Sequence, residues 1–439
     1  MNNNLKKYIF NVNWLFLEKI FRILAGFMVT IFLARYLGPE KFGTFSYAIS
    51  FVAIFAILAT FGFDKTISKE LISEEFNKEK ILGTSFFIRL VGSLLFIPIV
   101  IFMISIVRPD NDFLVLMVLI ISIGLVFKSF EVIKYWFESQ VQAKYGVIVD
   151  FSVILIFSII KIIAISNDAT LITFAWIVCF ESLITGFGLL WIYIYKSNKI
   201  SKWKFSFDKM KYLLKESYPI ILTGAVYSIF IKIDQVMLGS MIGDTSVGIY
   251  AAASKISEAW LFIPTVVAIA FYPAMLNARN KSYDLYLART QSLLNLMGLL
   301  GFIVGVFIFF LSPYMIDLIY GIGYSESSLI LIIHIWGTLF TAISMISLRY
   351  FLTEGLQIYS FYRAFAGCIL NIILNYILIP IYGAIGAAIA TTISQIVAVY
   401  ILNAFHPKTR VMFIMQSKAL SLIYSLNTIR DINIIRRNK

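Results

Sequence analysis

The sequence predicts an all-α integral membrane protein of about 12 transmembrane helices, arranged in two pseudo-symmetric six-helix lobes. Three observations predict this class: the composition, the spacing of apolar segments and an internal repeat. Hydrophobic residues make up 60% of the 439 residues and charged residues 14%, whereas about a quarter of the residues of a soluble domain are charged. The composition therefore excludes a water-soluble globular protein, and 40 Phe with 24 Tyr exclude a disordered or collagen-like chain.

Apolar segments of bilayer-crossing length follow one another along the chain. A hydrocarbon core about 30 Å thick needs about 20 residues of helix. We expect helices at 12–34, 42–62, 82–106, 113–136, 147–165, 171–195, 216–240, 248–275, 290–312, 326–353, 360–380 and 384–405. The remaining residues suffice only for short loops, so no large soluble domain fits.

The distribution of basic residues predicts the orientation. Lysine and arginine are abundant before the first helix and after the second, fourth, sixth and eighth, and they are scarcer in the intervening loops. Because an excess of these residues marks cytoplasmic loops, we expect a multi-pass protein of the cytoplasmic (inner) membrane with both termini in the cytoplasm. The net charge of +13 is then explained by topology, and no nucleic-acid partner is expected.

A repeat relates the two halves of the chain. The pattern L-x4-G-x4-G-x-aromatic-x2-A occurs at 33–48 and at 238–253, each time between two predicted helices on the outer side. A weaker echo relates 137–145 to 351–359. Because each half has an even number of helices, both halves have the same orientation, and we expect a pseudo-twofold axis along the membrane normal.

The repeat and the basic segments together predict the domain organisation. We expect an N-terminal six-helix lobe at 1–200, a cytoplasmic basic linker at 201–215, a C-terminal six-helix lobe at 216–405 and a basic amphipathic cytoplasmic tail at 406–439.

Charged residues inside the predicted helices are the first candidates for a site. A charge at the bilayer centre costs about 2.5 to 3.5 kcal/mol on insertion scales and normally faces the bundle interior or a water-filled cavity. Arg22 lies near the predicted midplane of the first helix, one turn after Glu18, and this i, i+4 spacing favours an ion pair. Two functions stay open for the pair: binding of substrate in a cavity, or attachment of neighbouring helices.

The seventh helix carries Lys232 and Asp234, whose i, i+2 spacing places them on different faces. The eighth helix runs antiparallel to it, and depth from the shared outer loop pairs Asp234 with Lys255 and Lys232 with Glu258. These two predicted pairs form either a structural ladder or a site for substrate or a coupling ion.

Further polar residues complete the candidate set. Arg89 in the third helix has no local partner and suits a diphosphate, because a guanidinium binds phosphate oxygens in a bidentate manner. Arg349 would receive an anionic headgroup or extend to lipid phosphates. Asn371 and Asn375, one turn apart, would bind sugar hydroxyls or a neighbouring helix.

In the fourth helix, Lys128 and Glu131 are spaced i, i+3 and are expected to pair with each other.

Three motifs carry a family resemblance: L-A-R-Y-L-G-P-E-K-F-G at 33–43, D-Q-V-M-L-G at 234–239 and Y-G-A-I-G-A-A-I-A at 382–390. They resemble polysaccharide-repeat transporters, the O-antigen and capsule flippases of the multidrug/oligosaccharidyl-lipid/polysaccharide exporter superfamily. The resemblance covers about 5–405 and implies two lobes around a central cavity. It also implies translocation of an undecaprenyl-pyrophosphate-linked oligosaccharide across the cytoplasmic membrane, by alternating access of the lobes, for surface polysaccharide biosynthesis. The partners it implies are that glycan, membrane lipid, and polysaccharide polymerase and glycosyltransferases.

Two other functions are weighed against this one. An ion-coupled multidrug or small-molecule exporter of the same fold would favour unpaired carboxylates, whereas Arg22 and Arg89 favour an anion. A membrane-embedded glycosyltransferase or polymerase would need an acidic outer loop, and the predicted outer loops are too short. The chain contains no H-E-x-x-H, phosphate-loop or G-x-S-x-G motif, and its two cysteines lie in separate apolar segments, so we expect no enzyme activity, cofactor or metal site.

Overall fold

The structure is a computed structural model that describes residues 3–62, 64–73 and 78–421. Every regular element in these residues is helical, as predicted. The α-helices are α1 (Asn3–Thr60), α2 (Asp64–Ser73), α3 (Lys78–Val107), α4 (Asp112–Phe127), α5 (Val132–Ser139), α6 (Lys144–Ser166), α7 (Leu171–Tyr195), α8 (Phe207–Met241), α9 (Asp244–Ala259), α10 (Phe262–Lys281), α11 (Tyr283–Ile319), α12 (Ser327–Thr353), α13 (Gln357–Val399) and α14 (Pro407–Leu420).

Within the described residues, 10 helical segments are long and apolar enough to cross a membrane. Two of them, Glu18–Thr60 and Gln357–Ala404, have 43 and 48 residues, about twice the length that a bilayer requires. Each contains a non-helical glycine at which the chain bends, Gly38 (φ 71°) and Gly383 (φ 58°). Division at these two glycines would yield the 12 predicted spans, and that count stays a prediction.

The bend in α1 follows from the motif L-G-P-E. Gly38 has φ 71° and ψ 171°, a backbone conformation that favours glycine. Pro39 opens the next helical stretch, where its missing N–H is not needed, and Glu40 places a negative charge near the positive end of the helix dipole. The motif that carries the family resemblance therefore encodes a turn between two helices.

The stronger sequence repeat has matching local structure. Gly243 stands at the repeat position of Gly38, has φ 128° and precedes α9. In both copies the leucine, the second glycine, the aromatic residue and the alanine of the pattern are buried.

The weaker echo is also a matched turn. Val141 (φ 55°) and Gly355 (φ 71°) occupy equivalent positions. The amide of the next residue donates to the carbonyl oxygen of Phe137 in one copy and of Phe351 in the other, each at 2.7 Å, as in a Schellman helix end. The repeat thus extends to the hydrogen bonds of the backbone.

The chain forms two compact units, Met1–Ser240 and Met241–Lys439. In the first, α1 packs on α3, α4 and α6, and α7 packs on α4 and α6. In the second, α12 packs on α9, α11 and α13. The predicted lobes, 1–200 and 216–405, divide the chain differently and stay a prediction.

The predicted linker, 201–215, is partly helical, because α8 begins at Phe207. The amide of Lys204 donates to the carbonyl oxygen of Glu79 at 3.1 Å, which holds the linker on α3. A Cβ atom at Gly83 would lie 2.7 Å from the Lys204 nitrogen, so this close approach requires glycine.

The predicted tail divides into α14 and residues 422–439, which lie outside the described residues. The amphipathic character of the tail stays a prediction, and α14 packs on α11. Its buried residues are Thr409, Met412, Met415, Gln416 and Ala419. The predicted helix at 248–275 is in fact two helices, α9 and α10, separated by Trp260 and Leu261.

Candidate functional site

A cavity of about 400 Å³ in the first unit, here called the arginine cavity, is lined by parts of α1, α2, α3 and α8 and by the turn between α4 and α5. Its charged lining residues are Asp64, Arg89, Lys128, Glu131 and Lys232. Three cations therefore face two carboxylates, a balance that favours an anionic ligand. Tyr227 and Ser228 of α8 add hydroxyl groups to the same wall.

Arg89 is the most deeply buried charge of this cavity, with 2% of its surface exposed. Its Nη2 donates to Oε2 of Glu131 at 3.2 Å and lies 3.7 Å from Oδ1 of Asp64. The guanidinium carbon lies 5.6 Å from the centre of the Tyr135 ring. Among the described residues, Nε and Nη1 have no hydrogen-bond partner, so part of the donor capacity of this buried arginine is unused.

The structure corrects one expectation about these residues. Glu131 was expected to pair with Lys128, whereas it pairs with Arg89, which lies 42 residues away in sequence and has no local partner in its own helix. Helical spacing reveals only pairs within one helix, so this pair between two helices could not be found from the sequence.

The predicted fourth helix, 113–136, is interrupted at two charged residues that line the arginine cavity. Lys128–Glu131 is a 3₁₀ turn between α4 and α5. Since residues i and i+3 lie in line in a 3₁₀ helix, Lys128 and Glu131 point to the same side, and both line the arginine cavity. A 3₁₀ stretch within a helix often marks a functional hinge.

The same turn borders a second cavity of about 290 Å³, here called the Asp150 cavity. Its charged lining residues are Arg22, Lys128, Glu131, Lys134, Asp150 and Glu181. Three cations face three carboxylates, so this cavity has no net formal charge. The arginine cavity is therefore the better site for an anion.

Arg22 lines the Asp150 cavity and belongs to a network of ion pairs. Its Nε donates to Oε1 of Glu18 at 2.6 Å, which is the predicted i, i+4 pair. Its Nη2 also donates to Oδ2 of Asp150 at 3.0 Å, and Lys134 lies 2.7 Å from the other oxygen of Asp150. Half of the Arg22 side chain is exposed.

Asp150 is a residue of this network that the sequence analysis missed. It lies near the start of the predicted helix 147–165, where a charge is ordinary, and its partners Arg22 and Lys134 are on α1 and α5. A separate ion pair joins Lys161 and Glu181 at 2.7 Å and attaches α6 to α7.

On α8, Lys232 lines the arginine cavity, and Asp234 is buried. Their expected partners, Lys255 and Glu258, belong to the second unit, so the two cross-helix pairs stay predictions.

In the second unit, Asn375 Nδ2 donates to Oδ1 of Asn371 at 3.2 Å. Asn371 Nδ2 lies 3.4 Å from Oγ1 of Thr391, and both asparagines are fully buried. The contact with Thr391 joins the two parts of α13 on either side of Gly383, which agrees with the expected bond to a neighbouring helix. Sugar binding stays a prediction. The Arg349 guanidinium lies 5.3 Å from the Tyr272 ring centre, and its role in headgroup binding stays a prediction.

The chain matches a family whose model is described as polysaccharide biosynthesis protein, over residues 9–279. A second family model, MatE, matches residues 219–377. The first match covers more than half of the chain and includes every residue that lines the arginine cavity.

Three curated proteins illustrate the similarity. A membrane protein of Methanocaldococcus jannaschii is 30% identical over 193 residues, which are 44% of this chain and 45% of that protein. The capsular polysaccharide biosynthesis protein CapF of Staphylococcus aureus is 21% identical over 88% of this chain and 96% of its own length. The probable low-salt glycan biosynthesis flippase Agl15 of Haloferax volcanii is 23% identical over 87% of this chain and 79% of its own.

Solved structures share the fold. The lipid II flippase MurJ, in an inward closed conformation, has a TM-score of 0.70 at 19% identity, with 97% of this chain and 93% of MurJ covered. An inward-facing multidrug resistance MATE family transporter has a TM-score of 0.65 at 15% identity, with 91% and 95% covered. At these identities the likeness shows the fold alone.

Proposed function

This chain belongs to the polysaccharide biosynthesis protein family, and we propose that it translocates an undecaprenyl-pyrophosphate-linked oligosaccharide from the cytoplasmic to the outer leaflet of the inner membrane. The flippases among its relatives support a lipid-linked glycan as substrate. The proposal includes alternating access of two lobes and cytoplasmic termini. It requires no covalent chemistry, so no catalytic residue is assigned.

The observation that carries the proposal is the state of Arg89. A buried guanidinium is costly unless it is paired and hydrogen-bonded, yet two of its nitrogens have no partner among the described residues. A diphosphate offers several anionic oxygens to such donors, with charge-assisted hydrogen bonds about twice as strong as neutral ones. Lys128 and Lys232, which also line this cavity, would contribute further positive charge.

The arginine cavity fits one part of the substrate. Its volume of about 400 Å³ suits a headgroup and not a whole oligosaccharide, since drug-sized ligands occupy about 300 to 1,000 Å³. We infer that it binds the diphosphate, which all substrates of this class share, and that the polyprenyl chain stays in lipid.

Depletion and complementation test the proposal. Cells depleted of the protein should accumulate diphosphate-linked repeat units on the cytoplasmic side, and wild type should restore export. Arg89→Gln should lower the rescue rate at least tenfold, because a hydrogen bond to a charged group contributes about 1.5 to 3 kcal/mol. Arg410→Gln, at an exposed arginine of α14, is the control and should rescue fully.

Arg22→Ala belongs in the same experiment. Failure to rescue would indicate that the Asp150 cavity also takes part in transport. Full rescue would indicate that the Glu18–Arg22–Asp150 network has only a structural role.

The alternative is export of a drug or small molecule, which the MatE match over residues 219–377 favours. Unchanged pools of lipid-linked glycan in depleted cells, together with altered sensitivity to cationic drugs, would establish that function. The carboxylates of the Asp150 cavity would then be the candidate site for a cationic drug.

A further inference from the structure

We propose that Asp64 is an internal counter-anion that competes with the substrate's diphosphate for Arg89 and thereby limits how tightly the arginine cavity holds it. The inference deepens the proposed function and rests on it. It assigns a role to a carboxylate on the short helix α2, which the sequence analysis did not single out.

Asp64 faces the same wall of the cavity as the arginine that would bind the diphosphate. Its Oδ1 lies 3.7 Å from Nη2 of Arg89, beyond the usual hydrogen-bond range of about 2.7 to 3.2 Å. Asp64 therefore compensates the charge of Arg89 without forming a hydrogen bond to it. A ligand that brings its own negative charge makes this compensation unnecessary and repels the carboxylate.

Of the two carboxylates beside Arg89, Asp64, whose other neighbour is the hydroxyl of Tyr135, is the more easily displaced. Its side chain is 54% exposed, so water can solvate the carboxylate when it moves away. Glu131 is 26% exposed, lies 3.2 Å from Nη2 and accepts a hydrogen bond from it. Leaving would therefore cost Glu131 more than it costs Asp64.

Asp64 is the first residue of α2, and its side chain is exposed. Rotation of this side chain into solvent therefore moves the carboxylate away from Arg89 without movement of the helix.

The rest of α2 keeps Asp64 close to Arg89. Ser217 of α8 donates to Oγ1 of Thr66 at 2.8 Å, and the Tyr212 hydroxyl donates to Oε1 of the buried Glu70 at 3.0 Å. A carboxylate tethered in this way has a high effective concentration at the guanidinium. It returns when the ligand leaves, so it opposes binding and accelerates release.

Asp64 lies beside Nη2 of Arg89, whereas the nitrogens without a partner are Nε and Nη1, so the carboxylate opposes an anion through its charge. The apparent affinity falls with the fraction of time for which the carboxylate lies close to Arg89. Removal of Asp64 should therefore tighten anion binding. A partly exposed ion pair typically corresponds to about a two- to fivefold change in the equilibrium constant, and we expect that increase in affinity.

The test uses the purified full-length protein and inorganic pyrophosphate as the probe, with affinity measured by calorimetric titration and dissociation by stopped flow. Asp64→Asn should bind pyrophosphate about two- to fivefold more tightly and release it more slowly. Asp64→Glu, which keeps the charge, should resemble wild type. Asp110→Asn, which removes the same charge at an exposed turn, is the matched control and should not change the affinity.

The outcomes separate the two proposals. Unchanged or weaker binding by Asp64→Asn, while Arg89→Gln abolishes binding, would overturn the counter-anion role and leave the arginine site intact. Pyrophosphate binding that does not need Arg89 would overturn the site itself. An equal gain in Asp110→Asn would reduce the effect to net charge, and if Asp64→Asn fails to fold, Asp64→Ser replaces it with the same expected result.

Discussion

At the scale of single residues, the described ion pairs that line the two cavities mostly join different helices. Asp150 connects α6 to both α1 and α5, because each of its oxygens contacts a different cation, Arg22 or Lys134. Glu131 connects the 3₁₀ turn to α3 through Arg89. Removal of one carboxylate from such a network leaves cations beside each other without compensation.

We therefore expect Asp150→Asn to destabilise the protein. Breaking a buried pair costs about 3 to 5 kcal/mol, and the half-exposed Arg22 lowers that figure to about 1 to 3 kcal/mol because solvent screens it. Thermal unfolding in detergent measures the effect. In the double variant with Arg22→Gln the losses should be less than additive, and additive losses would contradict the pairing.

At the scale of elements, glycines decide how closely segments approach. A Cβ atom at Gly298 of α11 would lie 2.5 Å from the carbonyl oxygen of Ala419, a contact that forces a shift. Gly26 of α1 is the opposite case, because a Cβ atom there would have no described neighbour within 4 Å. The close approach of α14 to α11 thus requires a glycine at position 298.

Gly298→Ala should loosen α14 and speed its cleavage by trypsin at the exposed Lys408, Arg410 and Lys418. Gly26→Ala adds the same methyl group in open space and should leave the cleavage rate unchanged. Equal rates in the two variants would show that α11 and α14 accommodate the methyl group.

The matched turns of the weaker repeat allow an exchange experiment. Val141 adopts φ 55° where the equivalent Gly355 has φ 71°, and a left-handed conformation costs a residue with a Cβ about 1 to 2 kcal/mol. Val141→Gly should therefore stabilise the protein by up to about 1 kcal/mol after the entropic cost of glycine. Gly355→Val should destabilise it, and a melting temperature that moves in the opposite direction in either variant would contradict the assignment.

At the scale of the whole molecule, the predictions concern movement and the two cross-helix pairs of α8. If alternating access operates, a cysteine in place of Arg22 should react with an impermeant thiol reagent from each side of the membrane in turn. The native Cys179 and Cys368 are buried and provide the background. Reaction from one side under all conditions would exclude alternating exposure of this position.

The predicted pair of Lys232 and Glu258 is tested by Lys232→Met and Glu258→Gln, singly and together. Coupled residues give transport losses that are not additive. Additive losses would instead leave Lys232 as an independent residue of the arginine cavity.

The sequence by itself determined the class, most of the helices and the family, because each depends on signals local in the chain. Apolar segments of bilayer length mark the spans, and Gly38 followed by Pro39 encodes its own turn. The repeat is visible in the sequence and again in the backbone, since equivalent turns need equivalent backbone conformations. The interruption at Lys128–Glu131 escaped prediction, because no glycine or proline marks it.

Only the tertiary structure decided which charges meet. Arg22, Arg89 and Lys232 were recognised as candidates from their position in apolar segments, but Asp150 and Asp64 were not, because each lies where a charge is ordinary. Their importance arises from contacts with residues on other helices, 128 positions away for Asp150 and Arg22. Helical periodicity specifies neighbours within one helix, whereas the rotation and depth of packed helices specify all others.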